Sequence, residues 1–345
     1  MATTREVLGF EVGETVLIGQ GCAFSGGYSF DTVTVHQDAN SEGSQQSLKF
    51  NGSSYIRFNG KTAGSAADEM HIAVYREVTT AVQWYIRLYD SAAAAQAAVT
   101  WDTDGIIRIR RGAILGTILA SASAPSTYAW HTLKIVWTCR EAASGGRIQV
   151  FLDGSTTALL DTGAGVDCRQ TTINDFLTVE IGQKGVSGVS YVDCFVWRST
   201  GGIPDEPLYV YPDEPTSDGA TLELTPSTGS THYNLVAGAV DTGTYLETTT
   251  AGAEDHLGAT GLNGSLDPSS IVAYKLYAYA TGDGTLTNVR TLVNSNGTVG
   301  YGANQPVGSG TYSTVTDFHD VDPDTATDWV PADLTSALKG VEINT

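Results

Sequence analysis

Apolar and polar residues alternate with period 2 in two neighbouring runs of this chain, residues 130–137 and Arg147–Leu152. In the first, Leu133, Ile135 and Trp137 share one face and Lys134 and Val136 the other; in the second, Ile148, Val150 and Leu152 oppose Arg147 and Gln149. That period is the signature of strands that bury one face. Asp153-Gly154 follows the second run, and glycine tolerates the positive φ of a tight turn. The two runs predict an antiparallel hairpin.

Shorter strand-like runs recur at residues 47–50, 55–58, 82–89, 106–110, 177–181 and 191–197. Asn51-Gly52, Asn59-Gly60, Asp104-Gly105 and Gly145-Gly146 punctuate them, a spacing that predicts an antiparallel sandwich over residues 6–203. The alanine-rich stretch 91–98 has helix propensity but room for only two turns, so it is expected to be a sheet edge or a connecting loop. Residues 204–215 hold Pro204, Pro207, Pro212 and Pro215 among acidic residues, which predicts a stiff linker open to proteolysis. Beyond it, residues 216–345 carry strand signals at 221–224, 244–247, 271–279, 286–293 and 311–315. The 271–279 run is apolar on both faces apart from Lys275, as expected of a central strand. The fold class read from this pattern is all-β, a larger sandwich followed by a smaller one.

Charge changes the picture of partners. The net charge is −20, with 15 basic and 19 acidic residues in 1–203 (−4) and 3 basic and 19 acidic in 204–345 (−16). Such a field repels phosphate backbones and anionic lipid, so neither nucleic acid nor a membrane surface is an expected partner. The N-terminus shows no basic stretch followed by an apolar one, and no run of 18 apolar residues occurs, so a soluble protein is expected. Cys22, Cys139, Cys168 and Cys194 lack CxxC spacing and are expected to be free core thiols.

Two resemblances follow from particular residues. Trp130-His131-Thr132-Leu133-Lys134-Ile135, leading to Val150-Phe151-Leu152-Asp153-Gly154, resembles the central hairpin of laminin G-like and concanavalin A-like jelly-roll domains. The resemblance extends over about residues 8–200 and implies a jelly-roll fold that binds carbohydrate or protein. The second half carries Thr244-Tyr245-Leu246-Glu247, the run from Ser270 to Tyr277, Asp322-Pro323-Asp324-Thr325 reaching Trp329, and Asp333-Leu334 reaching Gly340-Val341-Glu342. In that order these segments resemble a family of tailed-bacteriophage virion proteins. The resemblance implies a non-enzymatic structural protein on the particle exterior, fibre-like, baseplate-associated or capsid-decorating. It implies assembly in the host cytoplasm, with other virion proteins, further copies of this chain and a host-surface glycan as partners.

Candidate chemistry is sparse. A glycoside hydrolase needs two carboxylates flanking the bond it cleaves. The strand carboxylates nearest to that role, Glu180 and Asp193, are isolated, and the six histidines stand without a neighbouring nucleophile, so no catalytic residue is assigned. A carbohydrate-active enzyme of the jelly-roll class remains the alternative. Loop-borne Trp101, Tyr128 and Trp130 are the candidates for stacking on a sugar ring, whereas Trp84, Trp137 and Trp197 have core-like alternation. Asp320, Asp322, Asp324 and Asp328 fall at positions 1, 3, 5 and 9 of a calcium loop. Thr325, Pro331 and Pro323 break that pattern, so the expectation is a solvated turn leading to a buried Trp329, with no cofactor and calcium as the alternative. Asp102 and Asp104 form a second oxygen-rich turn of the same kind.

Overall fold

The computed structural model describes residues 4–8, 23–31, 47–59, 67–77, 82–141, 145–185, 188–199, 214–237, 243–259, 271 and 274–345. The chain divides into two compact units, Met1–Val210 and Tyr211–Thr345. The proline-rich segment 204–215 lies outside the described residues except for Glu214 and Pro215. No described helix is long and apolar enough to cross a membrane. Both units are built almost wholly from antiparallel strands.

In the first unit the strands are β1 (Thr4–Leu8), β2 (Ala23–Asp31), β3 (Ser47–Asn59), β4 (Ala67–Arg76), β5 (Val82–Tyr89), β6 (Ala95–Trp101), β7 (Ile106–Arg111), β8 (Thr117–Ser123), β9 (Trp130–Thr138), β10 (Arg147–Leu152), β11 (Leu160–Asp161), β12 (Thr178–Gly185) and β13 (Val189–Ser199). They form one 13-stranded sheet in the order β11-β10-β9-β4-β13-β3-β12-β5-β6-β7-β8, with β1 on β13 and β2 on β3. The sheet folds over on itself because β3 serves both halves. Its first part pairs with β13 through Leu48↔Val192, and its second with β12 through Arg57↔Glu180. One layer is thus β11-β10-β9-β4-β13 and the other β12-β5-β6-β7-β8, and the far edges β8 and β11 approach each other.

The hairpin expected at β9–β10 is present in the expected register, with Leu133↔Leu152, Ile135↔Val150 and Trp137↔Ile148. Asp153 and Gly154 turn at φ 48° and 75°. Inward residues of both layers interlock in one core that includes Ile56, Phe58, Ile72, Trp84, Ile86, Val99, Trp101, Ile135, Trp137, Val179, Ile181 and Trp197. Cys139, Cys168 and Cys194 are free and buried as expected, and burial pushes the Cys168 thiol up to about 11; Cys22 lies outside the described residues.

Two local expectations need correction. Residues 47–50 and 55–58 are not two strands joined by a turn: Gly52, at φ 65°, bends a single strand β3 that remains paired with β2 on both sides of the bend. The alanine-rich stretch is neither edge nor loop beyond Ser91–Ala94. Ala95–Trp101 is β6, paired to β5 and β7, with Ala97 and Ala98 fully buried. Small side chains let the loop 112–116 close over that strand, a tertiary demand that overrides helix propensity.

Asp193 is fully buried in β13, beside Cys194, whose φ of 48° marks a bulge against β4. Burial pushes its carboxyl from 3.8 up to about 8, and the Cys194 N–H that it accepts only partly offsets this. The folded state therefore takes up a proton that the unfolded chain lacks between these values. Stability of the first unit is expected to fall as pH rises from about 4 to about 8, and Asp193→Asn should flatten that slope. Thermal melts across this range test the sign; stability that rises with pH and is insensitive to the substitution would contradict it.

The second unit comprises β14 (Pro215–Leu222), β15 (Thr225–Pro226), α1 (Tyr233–Val236), β16 (Leu246–Glu247), β17 (Ala253–Ala259), β18 (Lys275–Ala280), β19 (Asn288–Ser295), β20 (Thr298–Tyr301), β21 (Gln305–Pro306), β22 (Ser313–Phe318), α2 (Pro331–Ser336) and β23 (Leu338–Asn344). Its main sheet runs β14-β17-β23-β19-β20, and β18 pairs with β22 in a separate two-stranded sheet. Val289, Val307 and Val315 pack between the two sheets, so the unit is a small sandwich. The segment expected to be central is therefore a two-stranded edge layer, half-exposed, with Lys275 lying over the Phe318 ring at 5.3 Å. The interior strands of the main sheet are β17, β23 and β19, and in the first two buried Asp255, His256, Lys339 and Glu342 mask any apolar alternation.

Candidate functional site

The outward half of each strand in the β12 layer carries an ordered polar surface. Since Ile56, Phe58, Val179, Ile181, Ile86 and Leu88 point into the core, their neighbours point out. Register then sets Arg57, Glu180 and Arg87 in one line across β3, β12 and β5, and Tyr55, Gly182 and Tyr85 in the next. Tyr89 sits one line further, opposite Thr178.

Glu180 is fully buried at the centre of this face. Arg57 Nε donates to its Oε2 at 2.9 Å, Arg57 Nη2 donates to the same oxygen, and Arg87 Nη2 donates to Oε1. The Tyr89 hydroxyl donates to Oε2 at 3.1 Å and accepts from Arg57 Nη2 at 3.2 Å. Both guanidinium carbons lie over the Tyr89 ring, at 4.6 and 4.8 Å, while Arg57 also covers Tyr55 and Arg87 covers Tyr85, each at 5.3 Å. Cation–π contacts of this kind hold the arginines against the tyrosine rings. Burial acts against the charge of Arg57, but the Glu180 carboxylate outweighs it and holds the guanidinium above its ordinary value. Burial first, and Glu180 second, push the Tyr85 and Tyr89 phenols up, so both keep their protons at neutral pH.

Gly182 lets Tyr55 and Tyr85 close over β12. A Cβ there would stand 2.6 Å from the Ser54 carbonyl oxygen and Tyr55 Cβ, and 2.8 Å from the Tyr85 hydroxyl. On the far side Ile114, in the β7–β8 loop, packs on Tyr85 and Ala98, and Gln83 Nε2 ties the loop down by donating to the Ile114 carbonyl at 3.2 Å. Next to it Leu115 is 71% exposed.

The face continues into a second ion cluster on β6 and β7. Arg108 and Arg110 both donate to Asp102 Oδ2, Gln83 Nε2 donates to Oδ1 at 2.6 Å, and Arg108 Nη1 reaches Asp104 Oδ1 at 2.9 Å. The oxygen-rich turn Asp102-Thr103-Asp104 is thus filled by guanidinium groups, which take the place that a calcium ion would need. Burial raises the Asp102 carboxyl, and the Gln83 and Arg110 hydrogen bonds more than reverse that, leaving it below its ordinary range.

The residues chosen from sequence fall elsewhere. Trp101 is fully buried, with the Arg76 guanidinium 4.8 Å from its ring, and has no surface for a sugar. Trp101 is the last residue of β6 rather than a loop residue, because the alanine-rich segment before it is a strand. Tyr128 is 67% exposed at φ 60°, and half-buried Trp130 lies 5.5 Å from Tyr75 and 6.4 Å from Tyr191, on the β13 layer. Those two form an aromatic edge apart from the Arg57–Glu180–Arg87 line. His131 is structural, held between Asp153 Oδ2 at 2.8 Å and the Ser126 carbonyl oxygen at 3.0 Å.

The four aspartates of the second unit do not converge. Asp322 is fully buried and accepts from the Asp324 N–H at 2.9 Å and the Thr325 hydroxyl at 3.1 Å. Asp324 instead accepts from Asn296 Nδ2 at 3.0 Å and Thr298 Oγ1 at 3.2 Å, while Asp328 is exposed and its backbone bridges to Val321. No group of three or more His, Cys, Asp or Glu side chains suited to a metal ion occurs among the described residues, Asp320 included. The turn leads to Trp329, which is buried as expected and whose Nε1 donates to the His319 carbonyl at 2.7 Å. The run Asp333–Glu342 spans α2 and β23, and its Gly340 is required because a Cβ would stand 1.8 Å from the Asp255 carbonyl oxygen.

No family model and no curated protein sequence matches this chain. Among solved structures the chain is similar to a sialidase (12% identity, TM-score 0.33), over 46% of this chain and 15% of the sialidase. An alginate lyase from Chlorella virus aligns at 10% identity and TM-score 0.37, over 57% of this chain and 99% of the lyase. A carbohydrate-binding module from Bacillus subtilis aligns at 11% identity and TM-score 0.33, over 52% of this chain and 96% of the module.

Proposed function

We propose that the chain is a non-enzymatic component of the exterior of a tailed-phage particle, whose first unit binds glycan through the outer face of the β12 layer. The observation that carries the binding is half-exposed Tyr55 beside Arg57 at the edge of the Arg57–Glu180–Arg87 line, where an aromatic ring and a directed donor share one surface. Sugar rings are bound by that combination, since their apolar faces stack on aromatics and their hydroxyls take hydrogen bonds. The virion assignment rests on the segments Thr244–Glu247, Asp322–Trp329 and Asp333–Glu342 in their order along the chain. Its three forms, fibre-like, baseplate-associated and capsid-decorating, share the same role of binding and assembly.

Two features favour binding over cleavage. Both oxygens of Glu180 are engaged by guanidinium groups, and the raised phenols of Tyr85 and Tyr89 serve as donors rather than as bases. Host-surface polysaccharides arrayed against the full chain should retain it without shortening. Release of new chain ends that is lost on Glu180→Gln would support the carbohydrate-active alternative instead.

The second unit, with 3 basic and 17 acidic residues from Tyr211 onward, is suited to a basic surface on another virion protein. Co-sedimentation of the chain with particles is expected to weaken with salt, because the Debye length falls from about 10 Å at 0.1 M to about 3 Å at 1 M. Incorporation that is indifferent to salt would place the contact on apolar surface.

A further inference from the structure

We propose that the open edge of β8 is the contact between two copies of this chain, which pair antiparallel across it and continue one sheet through a two-fold axis. The contact is independent of the glycan-binding reading and of the virion assignment.

β8 ends its layer and, among the described residues, pairs with β7 alone. An edge strand presents a row of backbone N–H and C=O groups to its free side, and proteins guard such edges with lysine, proline or other charge. Thr117–Ser123 contains none of these, and its Thr117, Ile118, Ser121 and Ser123 are exposed. A bulge at Leu119 interrupts the pairing with β7 and leaves Ala120–Ser123 in regular register. The other edge strand, β11, approaches β8 without a ladder between them, and it is guarded: it is two residues long, and its Asp161 is paired with Arg147.

Charge and the placing of apolar side chains say what covers this edge. Residues 112–130 hold no Asp, Glu, Lys, Arg or His, in a chain of net charge −20. On neighbouring β7, Arg108 and Arg110 are paired with Asp102 and Asp104, and Arg111 is half-buried. Copies of so acidic a chain repel one another where charge is exposed, so an uncharged edge is where they can meet. The large apolar side chains that the first unit exposes among its described residues, Leu115, Ile118 and Tyr128, all belong to this segment. Leu115 and Ile118 precede the regular stretch of β8 and Tyr128 follows it. Two-fold pairing about Ser121 therefore sets Ala120 against Ala122 and Ile118 against Ala124, and carries Leu115 of each copy toward Tyr128 of the other. Such an edge is complementary to itself, as an isologous contact requires.

Sedimentation velocity of the full chain between about 1 and about 100 µM should show a concentration-dependent dimer. The dimer should tighten between 0.1 M and 1 M salt, where the Debye length falls from about 10 Å to about 3 Å and the repulsion between copies is screened. Ile118→Lys and Ser121→Lys, both at exposed positions, should each weaken it at least about tenfold, because lysine guards a strand edge and in the second variant two lysines meet across the axis. Ser121→Cys gives a readout that needs neither lysine variant. Mild oxidation should join its copies through that residue, since facing strands hold Cα atoms within disulfide reach, whereas the unchanged chain and Ser53→Cys, exposed on β3, should stay unjoined. A chain that stays monomeric throughout, a dimer that weakens with salt, or a dimer indifferent to both lysine substitutions would overturn the proposal. Equal cross-linking of Ser121→Cys and Ser53→Cys would overturn it as well.

Discussion

Glu180→Ala is expected to destabilise the first unit by about 3–5 kcal/mol, the usual cost of removing one partner from a buried ion pair. The reason lies in what the substitution leaves behind. Arg87 has only 18% of its side chain exposed, and Glu180 is its carboxylate partner among the described residues. Arg57 can turn to water and contributes less. Tyr89 loses its acceptor as well. Urea denaturation followed by tryptophan fluorescence is the direct measurement, since five of the six tryptophans, Trp84, Trp101, Trp130, Trp137 and Trp197, belong to the first unit. A loss below about 1 kcal/mol, the range of exposed pairs, would show that the cluster is solvated and that Glu180 is not the centre of the face.

Trp329→Ala should unfold the second unit or cost it about 3–5 kcal/mol, as truncation of buried aromatics does. The indole packs in a small cluster with Val293, Leu334 and Ala337, and its N–H is the donor to the His319 carbonyl. A unit of this size has few other apolar anchors, and several of its buried positions are filled by Asp255, His256, Lys339 and Glu342. Loss of the second unfolding transition is the expected result. A variant that melts normally yet no longer joins particles would make Trp329 an exposed contact and the Asp322 turn part of an interface.

The larger fold was legible where burial is one-sided. The β9–β10 hairpin reads directly from alternation, and its register follows from matching Leu133, Ile135 and Trp137 to Leu152, Val150 and Ile148. β4 escaped because Asp68, Glu69 and His71 are buried in it, with Asp68 accepting from Trp197 Nε1 at 2.8 Å, so charge no longer marks the solvent side. β6 escaped because alanine favours helices when nothing else is specified, and here the sheet specifies it. β17 and β23 escaped for the same reason as β4, since Asp255, His256, Lys339 and Glu342 are buried in them.

The candidate face was missed for a different reason. Sequence reasoning sought carboxylate pairs and loop-borne aromatics, while the site lies on the polar half of regular strands. Its signal is nonetheless present: Tyr55-Ile56-Arg57 and Tyr85-Ile86-Arg87 repeat one tripeptide, with the isoleucines in the core and the tyrosines and arginines on the other face of the sheet. What the sequence could not supply is that β12 lies between these strands and brings Glu180 to both arginines. That pairing joins residues more than 90 positions apart in the chain.

The most direct test of the account is a structure of the full chain with a bound oligosaccharide. The expected result is a sugar on the outer face of the β12 layer, in contact with half-exposed Tyr55 and hydrogen-bonded to Arg57. A ring found instead on Tyr128 and Trp130, with the Arg57–Glu180–Arg87 line unchanged, would contradict it and move the binding surface to the opposite layer.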